Sequence, residues 1–324
     1  MSVGISENAA SVAATPSHAA IAVGFVTDAA IWADLIGRAP FPHLPQSFAY
    51  GEGKRAKGWT VRRAVFREDD RVIAFATVLE RRIAGIRIVT RINRGPIFLD
   101  ATPSPERIIA VYKALRRRWR GPLLIGPALE AGEASSAQLR AAGFRLRQEQ
   151  GWLSGRIDLR PDEQKLWAGL ASTFRNRVRN SEKAGATLRI GSDAETYEWM
   201  LARHADNMRD KHFSAVDATL LRAMRAAAPQ DVLIFQLVHD GEPVAGMSVV
   251  RFGSKAEYHI GWFGPEGRKL NAGNFLMWEI LKELRRRGTT DFDVGGMRPG
   301  DGYTRFKRTM HPAEFQLAGE WMSF

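Results

Sequence analysis

The stretch DFDVGGMRPGDGYTRFKRTM, residues 291–310, sets Asp293 at the end of a strand-like run, follows it with two glycines, and then delivers an aromatic–cation pair, Phe306 and Lys307. Glycines let a chain pass close to another group. A lysine carried behind such a turn is either a solvated loop residue or a fixed cation at a site. Asp293 itself is a candidate base or a loop cap. Two other groupings have chemistry within reach. Arg175 and Arg179 lie one helical turn apart in TFRNRVRNSEKAG, a spacing at which two guanidinium groups either clamp a phosphate or carboxylate or form a basic face in water. Glu257, Tyr258 and His259 are consecutive on a strand, where alternation sends Tyr258 to one face and its neighbours to the other. His259 is then a candidate base or a structural histidine.

Composition removes several classes of chemistry. The chain of 324 residues has no cysteine, so disulfides, thiolate metal sites and a cysteine nucleophile are excluded. The seven histidines are scattered; His204 and His212 share a predicted helix but lie too far apart for one ion, so no metal is expected. Lipase-type elbows and phosphate-binding P-loops are absent. The formal charge of +12 favours anionic partners, whether RNA, phosphate-bearing substrates or a membrane surface, or else describes a solvated basic face. The first twenty residues have neither a basic start nor a continuous apolar run, so residues 1–20 are read as a disordered tail and the protein as soluble and cytoplasmic.

The elements that must position these residues are legible as two similar sets. From Trp59 to Phe98 three short β-rich runs are separated by turn residues; the helix PERIIAVYKALRRRW and the strand PLLIG follow. In the second half DVLIFQLV, PVAGMSVVRF and AEYHIGWF form a meander with an Asp240-Gly241 hairpin, then the helix NFLMWEILKELRRRG ends at Gly288 before the strand TDFDVGG. YKALRRRWRGPLLIG aligns with LKELRRRGTTDFDVG, and Ala74 falls opposite Ala245 at nearly the same offset, which argues for a duplicated β-β-β-α-β unit. A boundary near residue 160 divides 21–160 from 161–324. Pro161, Asp162 and Glu163 start a helix whose apolar arc is Leu166, Leu170, Phe174 and Val178. The final segment, 313–324, is read as a strand able to pair back onto the first domain.

The duplicated α/β unit resembles acyltransferases of the GNAT type, in which the turn before the long helix offers backbone N–H groups to the diphosphate of coenzyme A through an Arg/Gln-x-x-Gly-x-Gly/Ala run. The matching place here is Arg268-Lys269-Leu270-Asn271-Ala272-Gly273, with Asn271 where the first glycine belongs. Asparagine tolerates left-handed geometry better than most residues, so Arg268, Asn271 and Gly273 remain donor-binding candidates. With PQSFAYG at 45–51, RGPIF at 94–98, FRNRVRNSEKAG and the C-terminal LMWEILKELRRRG…FDVGG…GYTRFKRTM, in that order, the chain resembles the FemAB/FemX family of peptidoglycan-bridge aminoacyltransferases and its BioF2-like acetyltransferase relatives.

That resemblance implies two tandem GNAT-like domains, each a mostly antiparallel mixed sheet flanked by helices, with the chemistry in the second. It implies transfer of an amino acid from aminoacyl-tRNA to an acceptor amine, such as that of a cell-envelope precursor, without a bound cofactor. Acyl-CoA or an acyl carrier protein is the alternative donor. Lys307 with Phe306 would then sit at the reaction centre, where a fixed cation stabilises a tetrahedral oxyanion. Tyr303 is the nearest acid in sequence, and Arg175, Arg179, Tyr258 and Arg305 are substrate-binding candidates. The sequence lacks the coiled-coil arm of some members and has a short loop after DVGG, so the acceptor is left open. A non-catalytic binder of RNA or an anionic surface, with possible peripheral membrane contact, is the reading of another class.

Overall fold

The computed structural model describes residues 20–210 and 217–324; His212 lies outside them. The first half runs β1 (Ala22–Phe25), α1 (Ala29–Arg38), α2 (Phe48–Ala56), β2 (Thr60–Glu68), β3 (Arg71–Ile83) and β4 (Ile86–Asn93). It continues through β5 (Ile97–Phe98), α3 (Pro105–Arg118), β6 (Leu123–Gly126), α4 (Glu133–Ala141) and β7 (Arg145–Gln148). The second half begins with β8 (Leu153–Asp158), α5 (Glu163–Gly169), α6 (Ser172–Lys183), β9 (Thr187–Gly191), α7 (Ala194–Asp210) and α8 (Ala218–Ala227). It then forms β10 (Val232–His239), β11 (Glu242–Phe252), β12 (Lys255–Phe263), α9 (Pro265–Lys269) and α10 (Ala272–Arg286). The chain closes with β13 (Asp291–Asp293), α11 (Gly302–Arg308), β14 (Ala313–Gln316) and β15 (Glu320–Ser323).

Two sheets result, in the orders β1-β2-β3-β4-β6-β15-β7 and β14-β8-β13-β12-β11-β10-β9, with β5 pairing β3. The duplicated unit is visible in the pairing. β2, β3 and β4 are antiparallel and β6 joins β4 in parallel after α3; β10, β11 and β12 are antiparallel and β13 joins β12 in parallel after α10. The last strand crosses over. β8, ahead of the expected boundary at 160, lies between β13 and β14, while β15 leaves the second half to lie between β6 and β7. Position 160 therefore does not separate the sheets: β8 precedes it and belongs to the second. The predicted C-terminal strand is two strands, of which only β15 reaches the first sheet.

The apolar arc Leu166, Leu170, Phe174 and Val178 is buried, but on two helices. Leu170 is extended at ψ 147, ending α5, and α6 starts at Ser172. Each sheet has its own core, and a third core lies between them. Trp32, Leu35 and Leu44 of the first half pack there with Met200, Leu221 and Met224 of the second. Close approach at this seam depends on Gly53 of α2, where a Cβ would lie 2.8 Å from Met224 and 3.0 Å from the Leu220 carbonyl. The PQSFAYG motif is structural here. Gln46 donates to the Asn93 carbonyl at 2.6 Å and accepts from the Thr77 amide at 2.6 Å, bridging the gap where β3 leaves β4 for β5.

Candidate active site

Asp301 accepts from the Tyr303 amide and starts α11, a helix of only seven residues. Arg298 N–H donates to the Thr304 hydroxyl and closes the preceding loop. Lys307 is thereby aimed inward and is 2% exposed. Parallel pairing of β12 with β13 stops at Glu257 and Asp293. Just beyond that point the Lys307 ammonium donates to the carbonyls of Gly295 and Gly296 at 3.0 and 2.8 Å. Gly295 has φ 77, and a Cβ there would lie 2.8 Å from the Tyr258 carbonyl, so the turn needs glycine. Asp293 holds the same turn, accepting from the Gly295 amide at 2.8 Å and from the Ser154 hydroxyl.

Two tyrosines complete the setting. The Lys307 ammonium lies 5.2 Å from the Tyr258 ring centre and 5.0 Å from that of Tyr303, and the two phenol oxygens are 2.6 Å apart. Gly261 makes room for this arrangement, since a Cβ there would lie 2.3 Å from the Tyr258 hydroxyl. Burial lowers the Lys307 pKa to about 8, the carboxylates of Asp293 and Glu257 opposing the shift. Burial raises Tyr258 well above the phenol range and Tyr303 to about 12, so both stay protonated at neutral pH. Phe306 is half-buried and stacks on Phe174 of α6 at 6.1 Å; its ring also lies 3.4 Å from where a Cβ on Gly273 would be. It fixes α11 against α6 and the start of α10.

On the opposite side of β12, Glu257 forms a two-pronged ion pair with Arg94 of the first half at 2.8 and 3.0 Å. The Arg94 guanidinium lies 4.2 Å from the Trp152 ring centre, and the same ring approaches Gly296. The indole N–H is buried without a hydrogen-bond partner among the described residues. Burial raises the Glu257 pKa, Arg94 opposing and Asp293 adding to the shift. A β-bulge places His259 as the extra residue between the pairs Val249–Tyr258 and Ser248–Ile260. Burial, then His204 and Arg94, lower the His259 pKa to about 4. A small cleft of about 20 Å³ lies between residues 40–42 and β12–β13, lined by Arg156, Lys255, Asp291 and Asp293.

The structure thus brings together Lys307, Tyr303, Tyr258 and Asp293, with Phe306 behind them, and places His259 beside Arg94 on the far side of the strand. It does not bring the expected arginine clamp. Arg175 donates to the carbonyls of Ala168 and Leu170, closing the end of α5. Arg179 lies 5.5 Å from the Trp167 ring centre in a surface cavity with Glu163, Glu182 and Trp278. Arg305 is exposed on α11. Asn271 does adopt the left-handed conformation, φ 54 and ψ 35, at the start of the 15-residue α10, with Arg268 exposed one turn earlier. Sequence reasoning missed Arg94 as a site residue, although RGPIF was a visible motif. It also missed Trp152, Ser154 and Gly261, whose roles arise from distant chain segments. Among the described residues no cluster of metal-ligating side chains occurs.

The fold has counterparts. The profile of the acetyltransferase (GNAT) domain matches residues 170–308. A crystal structure of FemX superposes with a TM-score of 0.79 at 17% identity, covering 93% of this chain and 96% of that one. The chain has the FemX-like tandem GNAT fold. The chain also superposes on the C-terminal domain (DUF2156) of a putative lysylphosphatidylglycerol synthetase from Agrobacterium fabrum, with TM-score 0.55, 16% identity and 90% and 92% coverage. A tandem GNAT protein from the clavulanic acid biosynthesis pathway gives 0.52, 15%, 94% and 98%. A search of curated protein sequences finds no match. The stretch that the profile covers includes Lys307. No helix among the described residues is long and apolar enough to cross a membrane.

Proposed function

We propose that the protein is an N-acyltransferase that joins an aminoacyl group from aminoacyl-tRNA to an acceptor amine, with Lys307 as the oxyanion-stabilising cation. The observation that carries this reading is the buried Lys307 ammonium, fixed by two carbonyls at the point where β12 and β13 part. The amine nitrogen attacks the donor ester carbon, and the carbonyl electrons move to its oxygen beside Lys307. The tetrahedral centre then collapses, the C–O bond to the ribose breaks, and the proton lost by the amine ends on that leaving oxygen. The neutral pair Tyr258–Tyr303 supplies hydrogen-bond donors. A preorganised donor at an oxyanion is worth about 3–4 kcal/mol. The acceptor, whether a small amine or a cell-envelope precursor, enters between the two sheets beside Asp293, which positions the Gly295 turn.

The net charge of +12 and the missing first glycine of the diphosphate turn favour tRNA as donor. Left-handed Asn271 ahead of α10 supports acyl-CoA as a second reading, because it restores the backbone shape that glycine would give. Purified protein offered each donor with a panel of amines decides the matter by mass spectrometry of the amide product. Amide formed from aminoacyl-tRNA and lost in Lys307→Met is the expected result. Turnover of acyl-CoA with no response to aminoacyl-tRNA would sink the tRNA reading. Nucleic-acid binding without transfer to any amine would replace both by a binding function.

A further inference from the structure

One end of the first sheet is unlike the rest of the surface. The β3–β4 hairpin turns at Ala84 and Gly85, φ 49 and 79, a tight two-residue connection that follows the strand twist. It sets Ile83 opposite Ile86, with Ile88 two residues on, and these are 63%, 67% and 45% exposed. Cations surround this convex tip. Arg81 and Arg82 are exposed beside it, and Arg87 donates to the carbonyl of Arg120. That contact joins the hairpin to a cavity of about 420 Å³ lined by Lys113, Arg116, Arg117, Arg120 and the 71% exposed Phe324, with no Asp or Glu side chain in its wall. Glu80, the carboxylate at the base of the hairpin, is buried and already bonded to Arg82 and the Trp119 indole.

We propose that this end of the first half docks on an anionic bilayer, the isoleucine tip entering the headgroup layer and the basic cavity taking lipid phosphates. Apolar side chains ringed by arginine suit a membrane interface. Single-stranded nucleic acid is held by aromatic platforms and cations, to which protruding isoleucines add nothing. The inference does not depend on the identity of the donor. β4 carries eight residues from the tip to Asn93, next to Arg94, so the site would stand about 25 Å from the bilayer surface at ~3.3 Å per residue.

The absence of cysteine makes Ile86→Cys a unique labelling position. The full chain carrying an environment-sensitive fluorophore there is mixed with vesicles of phosphatidylcholine alone, with vesicles also containing phosphatidylglycerol, and with unacylated tRNA. A blue shift confined to the phosphatidylglycerol vesicles is expected. In sedimentation of unlabelled protein, Ile83→Ser/Ile86→Ser and Arg117→Gln/Arg120→Gln should each lower the partition onto those vesicles at least about tenfold, with unchanged melting temperature. No blue shift, or undiminished vesicle binding by either folded double variant, overturns the proposal. A response to tRNA with none to vesicles overturns it in favour of a nucleic-acid surface.

Discussion

Lys307 changes charge within the working range of pH, because burial draws its pKa to about 8. Below that value the folded enzyme holds the cation; as pH rises through it the cation is lost, and a step that needs it slows. We expect kcat/KM for transfer to fall above about pH 8. Lys307→Arg, which stays charged, should be slower throughout but lose that descending limb. A parent profile that is flat through this region would remove Lys307 from the step. Gly261→Ala tests the neighbouring geometry. Its Cβ would displace the Tyr258 hydroxyl from Tyr303, so transfer should fall at least about tenfold while the melting temperature moves little. Equal transfer rates would show that the phenol pair is not used. At this scale Lys307 and Tyr303 were legible because they share one short segment. Gly261 and Trp152 were not, since nothing local marks a glycine that yields to a side chain or a ring that packs against a distant turn.

Among elements, the crossing of β15 has the largest consequence. Without β15, strands β6 and β7 lose their common neighbour, and buried Trp321 leaves the first core. Removal of residues 318–324 is therefore expected to give aggregated or poorly folded protein, although every proposed catalytic residue is retained. A soluble truncated chain with the parent melting curve would contradict this. The repeat was readable because strand alternation and helix periodicity are local patterns. The crossing was hidden because a strand's own sequence does not name its partner. The break at Leu170 was hidden for a related reason: the buried arc continues smoothly across two helices that meet end to end.

For the whole molecule, the seam between the halves is held by the third core and by Arg94–Glu257, whose side chains are 12% and 4% exposed. Removing one partner of such a pair leaves a buried charge without its counterion. Arg94→Ala should thus lower stability by about 3–5 kcal/mol in urea unfolding, and Arg94→Met/Glu257→Leu should recover much of the loss. A double variant as unstable as the single one would show that packing on Trp152 matters more than the pair.

The sequence by itself determined the duplicated α/β unit, the exclusion of thiol chemistry, the cationic surplus, and the candidacy of a lysine behind two glycines. Those are matters of composition, period and order along the chain. Only the tertiary structure decided which cations do what. Arg175 closes a helix end, Arg94 ties the halves together, Arg116 and Arg117 of α3 line an outer cavity, and Lys307 is buried at the parting of two strands. Burial and neighbours set the charge state and use of a basic group, and both depend on which distant segments fold around it.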